Sequence, residues 1–360
     1  MSQIRNVAIL GSTGSIGRAA LDVLSKGDPR FRLAAISCHT QLDRFEEQIQ
    51  AYSPKFAFAT GPFDLRTKRW QSGDGCSTLS RTVRESGMER LVSLVQSPEI
   101  DIVVAGIVGI AGLQTALAAA QAGKRLALAN KESLVVSGAL MMEAAKSSGA
   151  EILPVDSEHS AVFQCLQAGR EISEVKRIIL TASGGPLRDW PIDKLSEATI
   201  ADALSHPTWK MGRKITVDSA TMMNKALEVI EAKWLFDLEP EQIAVVIHPQ
   251  SIIHSMVEFN DGSVIGQMSP PDMRLPIQYA LTYPHRVPSL GPTMDWSQPM
   301  RLDWKPADLE RYPALQLGFE VAKKGVKNHQ SLTRAFAPHS GLLALFSTLR
   351  QTVLLGTVPA

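Results

Sequence analysis

The first half of the chain alternates short apolar runs with amphipathic stretches, and this regular alternation restricts it to one broad architecture. Residues 5–10, 32–37, 55–59, 101–106, 125–129 and 151–155 read as strands; residues 16–26, 41–51, 111–122 and 135–148 carry helical periodicity. Strands separated by helices build βαβ units, hence a parallel sheet covered by helices. Past Pro154 the pattern loosens into α+β style. A strand at 177–182 precedes a Gly-Gly-Pro loop at 184–186, and a helix over 219–235 follows. Strands near 243–248 and 252–259 come next, and Asn260-Asp261-Gly262 turns the second of these into 263–268 as a hairpin. Residues 60–80 read as a loop or insertion, and five prolines between 284 and 308 mark an extended linker.

Composition excludes several function classes. A net charge of +1 gives no field toward nucleic acid or a membrane surface. No apolar run reaches the length of a membrane span. Cys38, Cys76 and Cys165 have neither metal spacing nor a disulfide framework, which fits a reducing cytoplasm, and Cys165 reads as core. The N-terminus runs into its first strand with no signal-peptide pattern.

Five segments carry chemistry. Gly11-Ser12-Thr13-Gly14-Ser15-Ile16-Gly17 follows the first strand and opens a helix. That context suits a pyrophosphate on a helix N-terminus, against the plainer reading of a tight turn. The end of the second strand reads Ser37-Cys38-His39-Thr40, without the acid that would bind a ribose 2′-hydroxyl, so a 2′-phosphate is permitted. Asn130-Lys131-Glu132-Ser133 follows another strand, where ligands of open α/β sheets bind; a helix cap with a neighbouring ion pair is the alternative. In Asp156-Ser157-Glu158-His159, an extended backbone would turn both acids to one side, a hard-oxygen site for Mg²⁺ or Mn²⁺ that Glu228 could complete. A helix N-cap acid beside an exposed neighbour competes with that reading, and His159 reads as structural. Ser183-Gly184-Gly185-Pro186 ends a strand in a loop suited to cradling phosphate or simply to turning. On the 219–235 helix, Asn224 and Lys225 stand four and three residues before Glu228, so all three share a side. They would serve a ligand with phosphate at one end and metal at the other, or form an ordinary solvated face.

Taken together, Gly11–Gly17, Asn130–Ser133, Leu153–Ala161, Thr181–Pro186, His206–Glu228 and His248–Ser255 closely resemble the 1-deoxy-D-xylulose 5-phosphate reductoisomerase family. The likeness runs in family order from residue 4 to about 324. It implies an α/β fold with a Rossmann-like NADPH-binding domain (1–153), then an α+β catalytic domain (154–283) with a mobile loop near 204–213 that includes Trp209 and Met211. A linker (284–308) and a truncated or divergent helical region (309–360) would follow. The implied enzyme is a cytoplasmic homodimer of the isoprenoid-precursor route. It would convert phosphorylated 1-deoxy-D-xylulose to 2-C-methyl-D-erythritol 4-phosphate using NADPH and Mg²⁺ or Mn²⁺, with Co²⁺ a further candidate.

Carried over by motif, Asp156, Glu158 and Glu228 are the metal ligands, and with Lys131 the catalytic set. Ser157, Ser183, His206, Ser219, Asn224 and Lys225 bind substrate; Thr13, Gly14, Ser15, Ile16, Asn130, Glu132 and Gly212 bind the cofactor. Three departures stand out. His39-Thr40-Gln41 replaces the family's basic 2′-phosphate segment, and Ala226 replaces a glycine. After Glu320 no acidic residue appears, and the family's Asn-Ala-Ala-Asn-Glu motif is absent. Two other functions compete: a different NADP-dependent dehydrogenase, and a non-catalytic nucleotide-binding protein inactivated by its altered C-terminal region.

Overall fold

A computed structural model describes residues 4–61, 82–209 and 211–324. Most of the 60–80 insertion, Cys76 and residues 325–360 of the acid-free tail lie outside the described residues. In chain order the elements are β1 (Arg5–Leu10), α1 (Ser15–Lys26), β2 (Phe31–Cys38), α2 (Leu42–Tyr52), β3 (Phe56–Ala59), β4 (Val83–Ser86), α3 (Met88–Gln96) and β5 (Ile102–Ala105). Next come α4 (Leu113–Gln121), β6 (Arg125–Leu128), α5 (Lys131–Ser148), β7 (Glu151–Pro154), α6 (Ser157–Leu166), β8 (Val175–Ala182) and α7 (Ile200–Leu204). The remainder are α8 (Arg213–Ala220), α9 (Met223–Phe236), β9 (Ile243–Ile247), β10 (Ile253–Phe259), β11 (Val264–Met268), α10 (Arg274–Thr282), β12 (Lys305–Pro306) and α11 (Pro313–Lys324).

Two units divide the chain, the first comprising residues to Ser133 with Gly138–Ser160 and Asp272–Pro292, the second the rest. The first unit holds a parallel sheet in the order β4-β3-β2-β1-β5-β6-β7. β5 and β6 are buried at every position, as expected of parallel strands covered on both faces. The order reverses beside β1, where the chain leaves β4 to place β5 on the other side. Ligands of such sheets bind outside that switch point. α10 joins this unit although it lies far along the chain, with Arg274 ion-paired to Asp22 of α1 at 3.4 Å. Arg125 on β6 donates to the carbonyls of Leu281 and Tyr283, at 3.0 and 2.8 Å.

Gly11 ends β1 at this switch point with φ +79°, and a Cβ there would stand 2.7 Å from the Gly106 carbonyl oxygen after β5. A Gly11→Ala chain therefore meets both left-handed backbone strain and a backbone clash. We expect it to lose about 1–3 kcal/mol of stability, read as a lower denaturant midpoint. An unchanged midpoint would show that this turn is not strained.

The second unit holds a mixed sheet in the order β11-β10-β8-β9-β12, with β8 and β9 parallel and the other pairs antiparallel. Its core gathers Ile178 and Leu180 of β8, Val229 and Ile230 of α9, and Leu315 and Val321 of α11. Ala226, the departure from the family's glycine, faces Gly318 of α11, where no side chain opposes the extra methyl group.

Several elements depart from the sequence reading. β4 and α3 were not expected. α5 begins at Lys131 rather than near 135. The single helix over 219–235 is two helices, broken at Met222, which takes a left-handed φ of +59°. No glycine or proline announces the break; burial of the Met222 side chain in the core accompanies it.

Candidate active site

The β1–α1 connection builds the nucleotide side. Gly17 lets α1 approach closely, since a Cβ there would lie 2.4 Å from the Gly11 carbonyl oxygen. Gly14 occupies the N-cap of α1 with no capping side chain, and Gly14 and Ser15 are exposed. The leading N–H groups of this twelve-residue helix thus face outward without a protein cap, an arrangement that suits a phosphate. Thr13 is buried within the turn, and Ile16 is half-buried beside Gly106. Ser37 at the end of β2 steadies the turn, its Oγ accepting from Gly11 N–H at 3.1 Å. Past it, His39 and Thr40 are exposed. Burial pushes the neighbouring Cys38 thiol up to about 12, so it stays a protonated core group.

Asn130 caps α5. Its Oδ1 accepts from the Ser133 backbone N–H at 2.8 Å and from the Ser133 hydroxyl, while its Nδ2 donates to the carbonyls of Ile107 (2.6 Å) and Gly109 (2.8 Å). All four hydrogen-bonding positions of the amide are used. A cofactor contact at Asn130 is therefore left to its backbone. Glu132 is half-buried in the first turn of the same helix.

β6 and β7 are adjacent, so Lys131 and Asp156 emerge side by side at the carboxyl edge of the sheet. Asp156 Oδ2 lies 3.2 Å from Lys131 Nζ and 3.1 Å from Nδ1 of the fully buried His159. Asp156 and Glu158 do not lie on an extended segment. The Asp156 carbonyl accepts from Ser160 N–H at 2.8 Å as α6 begins, so Asp156 is the N-cap and Glu158 lies in the first helical turn. Acids are stabilised at a helix N-terminus, which explains why this segment coils rather than extends. Ser157 donates to Glu158 Oε2 at 2.6 Å.

In the second unit, β8 delivers Ser183 into the Gly184-Gly185 turn. Gly185, at φ +72°, presses so near α8 that a Cβ would sit 2.5 Å from the Ser219 carbonyl oxygen; this close approach joins the turn to Ser219. Ser183 Oγ accepts from Gly185 N–H at 3.1 Å and lies 3.0 Å from His206 Nε2. The Trp209 ring tilts against His254, centroids 6.0 Å apart. Gly212 is the exposed N-cap of α8. In the opening turns of α9, Asn224 Nδ2 donates to Glu228 Oε1 at 2.5 Å, and the Lys225 ammonium donates to Glu228 Oε2. Lys225 is 3% and Glu228 0% exposed, so the solvated-face reading fails. Two desolvated charges are costly unless each has a strong partner, and here each has the other.

Sequence reasoning passed over Arg188. Its guanidinium donates to the Ser183 carbonyl at 3.2 Å, and it packs over Gly184. Its signal was a cation directly after the Gly-Gly-Pro-Leu turn.

A parallel sheet with an uncapped helix and glycine turn at its switch point, followed by a mixed-sheet unit carrying a buried polar cluster, defines a dinucleotide-binding protein of the oxidoreductase type. Sequence profiles narrow the class. The profile for 1-deoxy-D-xylulose 5-phosphate reductoisomerase matches residues 7–138, and two C-terminal domain profiles of that enzyme match 152–236 and 268–335. The chain belongs to the 1-deoxy-D-xylulose 5-phosphate reductoisomerase family. The reductoisomerase of Rhodopirellula baltica is 48% identical over 89% of this chain and 81% of its own length. That of Pelotomaculum thermopropionicum is 50% identical over 89% and 82%. Among solved structures, a reductoisomerase in complex with NADPH, fosmidomycin and magnesium aligns with TM-score 0.83 and 41% identity, over 90% of this chain and 80% of that one. The Zymomonas mobilis enzyme in complex with NADPH aligns at 0.80 and 38%, over 90% and 82%.

Proposed function

We propose that this chain is an NADPH- and divalent-metal-dependent reductoisomerase acting on 1-deoxy-D-xylulose 5-phosphate. The substrate's carbon skeleton rearranges by retro-aldol cleavage and re-addition, and the resulting aldehyde is reduced to 2-C-methyl-D-erythritol 4-phosphate. The observation that carries the reading is the Lys131–Asp156 pair at the carboxyl edge of a sheet whose switch point holds an uncapped glycine turn.

The donor chemistry fits a hard cation: Asp156, Glu158 and Glu228 are all carboxylates, the ligands Mg²⁺ and Mn²⁺ prefer. Asp156 and Glu228 have ammonium neighbours, Lys131 and Lys225. When bound, the cation would polarise the substrate carbonyl and acidify the adjacent hydroxyl, and NADPH would supply the hydride. The protein's own residues do the positioning. Lys131 and Ser157 hold the substrate's oxygen-bearing end. Ser183, Ser219, Asn224 and Lys225, with His206 beside them, hold its phosphate, whose binding energy orients the reacting carbons. Thr13, Gly14, Ser15, Ile16, Asn130, Glu132 and Gly212 line the cofactor. The active form we infer is a cytoplasmic homodimer, and no helix among the described residues is long and apolar enough to cross a membrane.

The test is NADPH consumption with the phosphorylated substrate. A chelator should abolish it, and added Mg²⁺ or Mn²⁺ should restore it. Turnover that continues undiminished in chelator would instead identify a metal-independent dehydrogenase.

A further inference from the structure

His206 sits between two elements of the second unit. Its Nδ1 is 3.1 Å from the Thr208 backbone nitrogen and 2.9 Å from that of Trp209. Both are N–H donors aimed at this nitrogen, and among the described residues they bond elsewhere to nothing, so Nδ1 accepts and carries no proton. The ring proton is then on Nε2, which faces Ser183 Oγ at 3.0 Å. A hydroxyl has one donor and two acceptor positions. Ser183 Oγ already accepts from Gly185 N–H and now accepts from His206 Nε2–H, so its own proton is left to donate outward.

We propose that His206 is a neutral strut between the 206–209 turn and Ser183, a positioning residue that fixes the Ser183 hydroxyl as a donor toward the substrate phosphate. The inference rests on the phosphate site assigned above and deepens it: His206 is not a cationic phosphate ligand. Its surroundings agree. Burial first, and then the Arg188 guanidinium, hold the His206 imidazolium below the usual histidine range. Arg188, from the turn after β8, is the charged group facing it among the described residues, and Asp189 pairs with Arg188 at 3.1 Å. A second proton on Nδ1 would set a donor against the Thr208 and Trp209 N–H groups. Positive charge beside this turn therefore comes from Arg188, and acid weakens the arrangement instead of strengthening it.

Two measurements test the strut. In the full chain labelled with ¹⁵N-histidine, the resonance lost in His206→Asn identifies His206. It should show the neutral Nε2–H pattern at neutral pH and titrate only below the ordinary 6.5. An imidazolium or an Nδ1–H tautomer at neutral pH overturns the proposal. In steady-state kinetics, Ser183→Ala and His206→Asn should each raise the KM for the phosphorylated substrate by about tenfold, with kcat largely kept. The double variant should be no worse than Ser183→Ala alone, because His206 acts through Ser183. Additive losses overturn the strut. A Ser183→Ala enzyme with unchanged KM sinks the phosphate-site reading itself, while the tautomer still stands or falls by the spectrum.

Discussion

Replacing Asp156, the proposed metal ligand, by asparagine should lower turnover at least about a hundredfold, since losing a ligand costs more than losing the outer partner of one. The exchange preserves shape and removes one negative charge from a carboxylate that faces both Lys131 and His159. NADPH affinity should stay nearly unchanged, because the β1–α1 turn and the exposed α1 N-terminus contain no part of Asp156. Fluorescence titration of NADPH and steady-state rates across a Mg²⁺ series separate the two effects. An Asp156→Asn enzyme that keeps full activity in chelator would remove the metal from the mechanism.

Lys225→Ala is expected to act twice. Its ammonium makes charge-assisted contacts of about 1.5–3 kcal/mol each, so the KM for phosphorylated substrate should rise tenfold or more. It also strips the fully buried Glu228 of its ammonium partner, leaving the Asn224 amide as a neutral donor, and breaking such a pair costs about 3–5 kcal/mol of stability. Thermal unfolding of the free enzyme and kinetics on the folded fraction measure the two losses independently. Equal weakening toward phosphorylated and unphosphorylated substrate would show that Lys225 is not a phosphate ligand. Undiminished stability would show that Glu228 finds another partner.

The parts of the site legible in the sequence are those set by local chemistry. Gly11 needs a positive φ, and the three-residue and four-residue spacings of Lys225 and Asn224 from Glu228 guarantee a shared helix side. Asp156 and Glu158 show the opposite case. Side chains alternate along an extended segment, but this segment is the start of a helix, where acid at the N-cap favours coiling. Met222 gave no warning of the break it makes, because a left-handed residue without glycine is held by surrounding packing and not by its own preference.

By itself the sequence determined the parallel sheet, its glycine turn, the hairpin through Asn260-Asp261-Gly262 and the residue types available to bind phosphate and metal. These follow from periodicity, backbone sterics and side-chain chemistry, which act over a few residues. Only the tertiary structure decided that Lys225 and Glu228 are buried, that β6 and β7 bring Lys131 to Asp156, and that Gly185 joins Ser183 to Ser219. It also set the tautomer of His206 and brought Arg188 over the Ser183 turn. Desolvation, strand order and proton placement depend on which distant segments pack together, and no local pattern in the chain encodes them.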